Sequence, residues 1–167
     1  MQIPRSWMHL LFCLAWVVFS LTVVSRPAQA AVDPYVLHYL RVTDAIELPF
    51  DQSGAVRSFS ASQLSEGKRF FERNCANCHV GGSTLPNPSL PLSLTALKGA
   101  EPPRETVVEL VRYFRHPTTY DGTEDMLWCR EVPDTWLAET AAENLAAFIL
   151  RAAQIAPGWG VETFQGS

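Results

Sequence analysis

The chain has 167 residues, with 13 Lys and Arg against 17 Asp and Glu and a formal net charge of −4. That length suits one domain behind a short leader, and the acidic balance excludes nucleic-acid binding by charge. No internal repeat or low-complexity tract is present, which excludes a solenoid or a tail-like interaction segment.

Residues 1–30 have the three parts of a secretory signal. Arg5 supplies a cationic start, Leu10 to Val24 form an uncharged apolar run, and Ala28-Gln29-Ala30 is an A-x-A cleavage site. A retained anchor is the alternative, but the run is shorter than the roughly twenty residues a bilayer span needs. Two units are expected: a signal peptide over 1–30 and a single domain over 31–167. Loss of Arg5 and Arg26 with the leader leaves 11 Lys and Arg against 17 Asp and Glu, a net charge of −6. A basic or neutral protein face is then the complementary partner.

The first thirty residues of the remainder read as irregular, with a turn at Asp33-Pro34. Ile46, Leu48 and Phe50 alternate with Glu47 and Pro49, and Val56 follows Asp51-Gln52-Ser53-Gly54, a pattern that predicts a short β-hairpin. Ser60 and Gln63 have capping-box spacing. Leu64, Gly67, Phe70 and Phe71 then recur at helical intervals, so a helix runs to Asn74. Gly67 in its interior costs about 1 kcal/mol against alanine, which points to another backbone close by.

Cys75-Ala76-Asn77-Cys78-His79 comes next. C-x-x-C-H is the attachment signature of a c-type haem. Two thiols on one turn each add to a vinyl group of the same porphyrin, and the adjacent histidine reaches the iron. A zinc site needs four ligands at matched spacing, and no second C-x-x-C exists. A redox dithiol belongs after a strand, whereas a helix precedes Cys75. Export agrees with the haem reading, because c-type haem is attached on the far side of a bacterial or thylakoid membrane.

Gly81-Gly82 breaks the chain after His79, and Pro86, Pro88 and Pro91 keep the next loop extended. Leu90 to Leu97 is apolar, with one short helical turn, and its leucines are candidates to cover a haem face. A second helix is predicted from Pro103, with Val107, Leu110, Val111 and Phe114 on one stripe and Pro117 as its stop. The last helix is predicted from a Thr140–Glu143 capping box. It carries Leu145, Phe148, Ile149 and Ala152 at i, i+3, i+4 and i+7 and stops at Pro157-Gly158. Gly67 and Phe71 on the first helix are expected to meet Phe148 on the last.

These segments resemble one family. Ser65-Glu66-Gly67-Lys68-Arg69-Phe70-Phe71, Cys75 to Gly82, Pro102-Pro103-Arg104 and Pro117-Thr118-Thr119-Tyr120-Asp121-Gly122 occur in the order found in the low-potential cytochrome c of photosystem II, the PsbV family of cyanobacteria and some algae. The match runs from about Leu64 to Gly122, with Gly158-Trp159-Gly160 near the end. The resemblance implies a mainly α, class I cytochrome c-type fold with one covalent haem c. It also implies a thylakoid-lumenal location, peripheral association through the lumenal face of photosystem II, and a monomer when free.

One departure matters for the chemistry. Family members carry a histidine followed by proline shortly after the Y-D-G turn, and that histidine is the sixth iron ligand. Here the stretch reads Thr123-Glu124-Asp125-Met126-Leu127-Trp128-Cys129-Arg130. Cys129 stands within one residue of the expected place. Once Cys13 leaves with the leader and Cys75 and Cys78 are consumed, it is the only thiol remaining. The expected ligand set is therefore His79 with Cys129, and Met126 and then His116 are the runners-up; His38 ranks behind them, and an open sixth position is the remaining alternative. A divergent paralogue follows from this. Three roles remain open: electron transfer, an extrinsic photosystem II subunit, and a haem sensor with a displaceable cysteine. A soluble periplasmic or lumenal carrier unconnected to the photosystem is a further alternative. No acid–base pair or nucleophile constellation accompanies the motif, so an enzyme is not expected. Intact-mass measurement of the native protein should give the chain from Ala31 plus one haem; a mass retaining residues 1–30 would support the anchor.

Overall fold

A computed structural model describes residues 31–85 and 90–161. The leader with its cleavage site, and the loop through Pro86 and Pro88, lie outside the described residues. The elements are α1 (Pro34–His38), β1 (Ile46–Pro49), β2 (Val56–Phe59), α2 (Ala61–Asn74), a 3₁₀ turn at Val80–Gly82, α3 (Leu94–Gly99), α4 (Val107–Arg115) and α5 (Glu139–Ile155). The fold is mainly helical with one small antiparallel sheet, and the mainly α architecture is the one the resemblance implies.

The start of the domain is not irregular. Asp33 caps α1, its carboxylate accepting from the Tyr35 N–H at 2.7 Å, and Pro34 supplies a first-turn φ that suits a helix. Five residues cannot sustain a helix by themselves. Tertiary anchors hold it: Lys68 donates to Asp33 at 2.9 Å, the Asp33 N–H donates to the Ser65 hydroxyl at 2.9 Å, and Val36 and Leu40 are fully buried.

The hairpin forms as the alternation predicts. Its register pairs Ile46 with Phe59 and Pro49 with Val56, which puts the proline at the end of the ladder, where a missing donor costs least. Leu48 and Phe59 enter the core.

Helix α2 has the predicted limits because its signals are local. The Gln63 N–H donates to the Ser60 hydroxyl at 3.3 Å and the Ser60 N–H donates back to the Gln63 side chain at 2.9 Å. Two other helices start elsewhere than predicted. The second begins at Val107, not Pro103, capped by Thr106, whose hydroxyl accepts from the Glu109 N–H. The Arg104 N–H donates to the Leu97 carbonyl at 2.8 Å, a bond that holds residues 102–105 outside the helix. The last begins at Glu139 with no side-chain cap. Buried Leu137 fixes the chain ahead of it, and Glu143 is drawn to Arg57 at 2.6 Å instead of closing a box with Thr140.

α2 and α5 cross at Gly67. A methyl built there would stand 2.6 Å from the carbonyl carbon of Asn144 and 2.9 Å from Cβ of Phe148. Only glycine permits that approach, which accounts for its unfavourable place inside a helix. Phe71 packs on Phe148 with centroids 5.5 Å apart, and Trp159 closes the cluster at 5.2 Å from Phe71 and edge-on to Phe148 at 5.7 Å. Replacing Gly67 with leucine should therefore lower the urea midpoint of the holoprotein, with an overpacking cost of about 1–3 kcal/mol. An unchanged midpoint would place the crossing elsewhere.

Candidate haem site

A cavity of about 450 Å³ opens where α2 ends, bounded by α3, α4, α5 and the chain between Tyr120 and Trp136. That is within the size range of cofactor pockets. Its walls are apolar: Leu97, Leu110, Phe114, Leu145 and Ile149 all line it and all are buried. Leu90 and Leu92 also line it, so the leucine-rich stretch faces the site as its composition indicated.

Cys75, Cys78 and His79 enter from the end of α2. Cys75 caps that helix, its N–H donating to the Phe71 carbonyl at 2.8 Å. The chain then turns, with the His79 N–H donating to the Cys75 carbonyl at 2.9 Å, which sets both thiols and the imidazole on one edge of the cavity. Gly82 lets the returning chain pass Trp159: its φ is +80°, and a Cβ there would meet the indole at 2.6 Å. The Trp159 indole N–H donates to the Leu92 carbonyl at 2.9 Å, which ties that rim to the aromatic cluster.

The histidine is held in one orientation. Its Nδ1 lies 2.9 Å from the Thr84 hydroxyl, and that hydroxyl donates its own proton to the Leu90 carbonyl. Thr84 is therefore the acceptor, Nδ1 carries the hydrogen, and the Nε2 lone pair is left for a metal. Burial holds the imidazole below its ordinary pKa, which keeps it neutral and competent to ligate at neutral pH.

Met126 and Cys129 reach the same cavity from the chain after α4. Burial raises the Cys129 thiol, while a hydrogen bond with Tyr113 and the positive charge of Arg104 act the other way. The Arg104 guanidinium lies 4.0 Å from the centroid of the Tyr113 ring and donates to the backbone carbonyls of Thr118 and Thr119 at 3.2 and 2.6 Å. Burial and the other two thiols push Cys75 up to about 12. His116 is exposed at the end of α4 and His38 is exposed on α1; neither lines the cavity. The structure thus brings Cys75, Cys78, His79, Met126 and Cys129 together and leaves His38 and His116, the other described histidines, outside.

These residues fit a c-type haem. The pocket is large and apolar, two thiols stand on its edge beside a neutral, oriented imidazole, and a further thiol shares it. The zinc alternative does not gain support: among the described residues no three His, Cys, Asp or Glu side chains are grouped to hold a metal ion. Sequence reasoning assigned no role to Thr84, Arg104 or Tyr113. Arg104 stood in a quoted motif and Thr84 lies five residues after His79, but only the folded chain shows what either touches.

Fold and site together define a class I c-type cytochrome. A profile of the cytochrome c-550 domain matches residues 40–165, a much longer stretch than the motifs from Leu64 to Gly122. The chain is 53% identical over 158 residues to a cytochrome c-550-like protein of Thermosynechococcus vestitus, covering 95% of this chain and 89% of that one. It is 46% identical to photosystem II extrinsic protein V of Gloeobacter violaceus, over 85% of this chain and 76% of the relative. The crystal structure of the PsbV2 cytochrome from Thermosynechococcus elongatus superposes with a TM-score of 0.77 at 57% identity, over 78% of this chain and all of that one. Cytochrome c549 superposes at 0.59 and 30% identity, over 65% and 90%. The chain belongs to the cytochrome c-550 family, and membership implies a covalently bound haem c.

Thr84→Val should keep the fold and the haem but remove the acceptor from His79 Nδ1. The imidazole then donates less charge, and the reduction potential should rise in a spectroelectrochemical titration. A potential equal to that of the wild type would show that Thr84 does not tune the histidine.

Proposed function

We propose that this protein is a low-potential monohaem cytochrome of the thylakoid lumen that transfers electrons and docks at the lumenal face of photosystem II. Support for the setting comes from the relatives named as photosystem II extrinsic protein V and from the export signal. Among the described residues no helix is long and apolar enough to cross a membrane. An electron carrier or extrinsic subunit, not an enzyme, is the role that fits.

Cys75 and Cys78 would hold one haem per chain by thioether bonds, and His79 Nε2 and Cys129 Sγ would ligate its iron. Bound there, the haem supplies a one-electron ferric–ferrous couple. The protein's own groups set where that couple lies. Thr84 fixes the histidine tautomer and increases its donation. Cys129 must give up its proton on ligation; the Arg104 charge and the Tyr113 hydroxyl then offset the negative sulfur, which burial alone would penalise. A thiolate stabilises the higher iron charge and lowers the potential, whereas methionine raises it. The leucine and phenylalanine walls keep water from the site.

One observation carries this assignment: Cys129 shares a single cavity with the C-x-x-C-H segment, beside the Arg104 charge and the Tyr113 hydroxyl that favour its thiolate; Met126 shares the cavity and His116 does not. Wild type and Cys129→Ser, both oxidised at neutral pH, should differ in electron paramagnetic resonance. The low-spin thiolate signal should disappear in the variant and its potential should rise, while Met126→Leu should retain the wild-type signal. Identical g-values in wild type and Cys129→Ser would remove Cys129 from the iron.

A further inference from the structure

Two large apolar side chains beside the site are left in water. Leu127 is 89% exposed and Trp128 is 75% exposed, and Trp128 also lines the cavity, so its indole links the haem site to the surface. Exposed apolar residues grouped this way mark contact surfaces, and tryptophan is prominent among residues that dominate binding energy.

The segment that carries them is fastened on both sides. The Met126 N–H donates to the Pro117 carbonyl at 2.9 Å, the Val132 N–H donates to the Phe114 carbonyl at 2.8 Å, and Arg115 donates to the Val132 carbonyl at 2.7 Å. Thr118 and Asp125 form a bridge across its base. The patch is a preformed surface.

Its charge selects the occupant. Glu124, Asp125, Glu131 and Asp134 flank the pair in the chain, all four are exposed, and none enters an ion pair among the described residues. Arg130, 5.9 Å from the Trp136 ring centroid, is the one cation between Thr123 and Asp134; exposed Arg73 and carbonyl-bound Arg104 also line the cavity, against the four free carboxylates. An anionic membrane surface would be repelled. A second copy bound through the same face would bring the same carboxylates together. A basic protein surface matches both the apolar centre and the acidic flanks.

We infer that the Leu127–Trp128 patch, with Glu124, Asp125, Glu131 and Asp134, is the docking face for a basic one-electron redox protein. The inference rests on the haem reading above: a partner seated there stands beside Cys129 and Trp128, and one electron lost by either protein is gained by the other, with no bond made and no proton moved.

The test uses ¹⁵N-labelled holoprotein, with a basic mitochondrial-type cytochrome c as the probe. Visible spectra and potentials are recorded first, so that failure of the haem reading is seen separately from failure of the docking surface. On titration, resonances of residues 124–136, including the Trp128 indole, should shift. Affinity should fall about tenfold or more when ionic strength rises from about 0.01 to about 0.15 M, as the screening length contracts. Leu127→Ser, and separately a variant with all four carboxylates converted to amides, should each weaken binding about tenfold or more, as expected for a hot-spot side chain and for lost electrostatic complementarity. Both should keep the wild-type spectrum, and Leu127→Ser should keep the wild-type potential. Shifts confined to another face, or affinity indifferent to salt and to both variants, would overturn the inference. So would a wild-type dimer in sedimentation that Leu127→Ser dissolves, or binding to anionic lipid vesicles that the same substitution abolishes.

Discussion

The contact between the backbones of α2 and α5 at Gly67 governs the position of everything chemical in this protein. α2 runs without interruption into Cys75, so wherever the crossing fixes α2, it also fixes the two thiols and His79. The same α5 that touches Gly67 through Asn144 supplies Leu145 and Ile149 to the cavity wall. Asn144 also donates to Glu66 at 2.9 Å, one residue before the crossing point, which resists rotation of one helix over the other. Phe71, Phe148 and Trp159 fill the space beside the crossing; burial of each Phe is worth about 1.5–3 kcal/mol. Trp159 then carries that rigidity to Leu92 and Gly82 at the cavity rim.

The second half of the site is positioned by different physics. The chain after α4 has no regular structure to direct Met126 and Cys129 inward. Arg104 does this work in part, its guanidinium bridging to the carbonyls of Thr118 and Thr119 while stacking on Tyr113. A guanidinium buried to that degree costs free energy unless its donors are met and a negative group lies near. The Thr118 and Thr119 carbonyls and the Thr118 hydroxyl meet Nη2. A deprotonated Cys129 would supply the negative charge, and burial lowers the pKa of Arg104 while Tyr113, Cys129 and Tyr120 oppose that shift. The cation and the Cys129 thiolate would thus be mutually supporting. A histidine at the same place would be neutral and would not compensate Arg104 in this way.

The parts of the fold legible in the sequence were those set by neighbours in the chain. The Ser60–Gln63 box, the hairpin alternation and the C-x-x-C-H spacing are local, and each gave its element or motif directly. Gly67 was legible for a different reason: a residue that costs a helix stability must be repaid in packing. The errors share one cause. Thr140 and Glu143 have the spacing of a cap, and Pro103 suits a first turn, but long-range partners decided both ends: Glu143 meets Arg57, and the Arg104 N–H meets the Leu97 carbonyl. α1 escaped notice because five residues carry too little periodicity, and Lys68 and Ser65, which hold it, lie more than thirty residues away. In the site, Cys129 could be singled out by counting thiols and by a missing histidine. Thr84 and Tyr113 could not, since a threonine hydroxyl and a half-buried tyrosine acquire meaning only from the ring or sulfur they touch.

Sulfur K-edge X-ray absorption on the ferric holoprotein examines the central claim, a thiolate on iron, without altering the chain. Thioether sulfur, whether from methionine or from Cys75 and Cys78 as haem attachment would leave them, lacks the strong pre-edge transition that covalent mixing with a ferric ion gives a thiolate. The account predicts one such feature, with the intensity of a single sulfur. A spectrum without it would mean that Cys129 lies in the cavity but leaves the iron to another ligand.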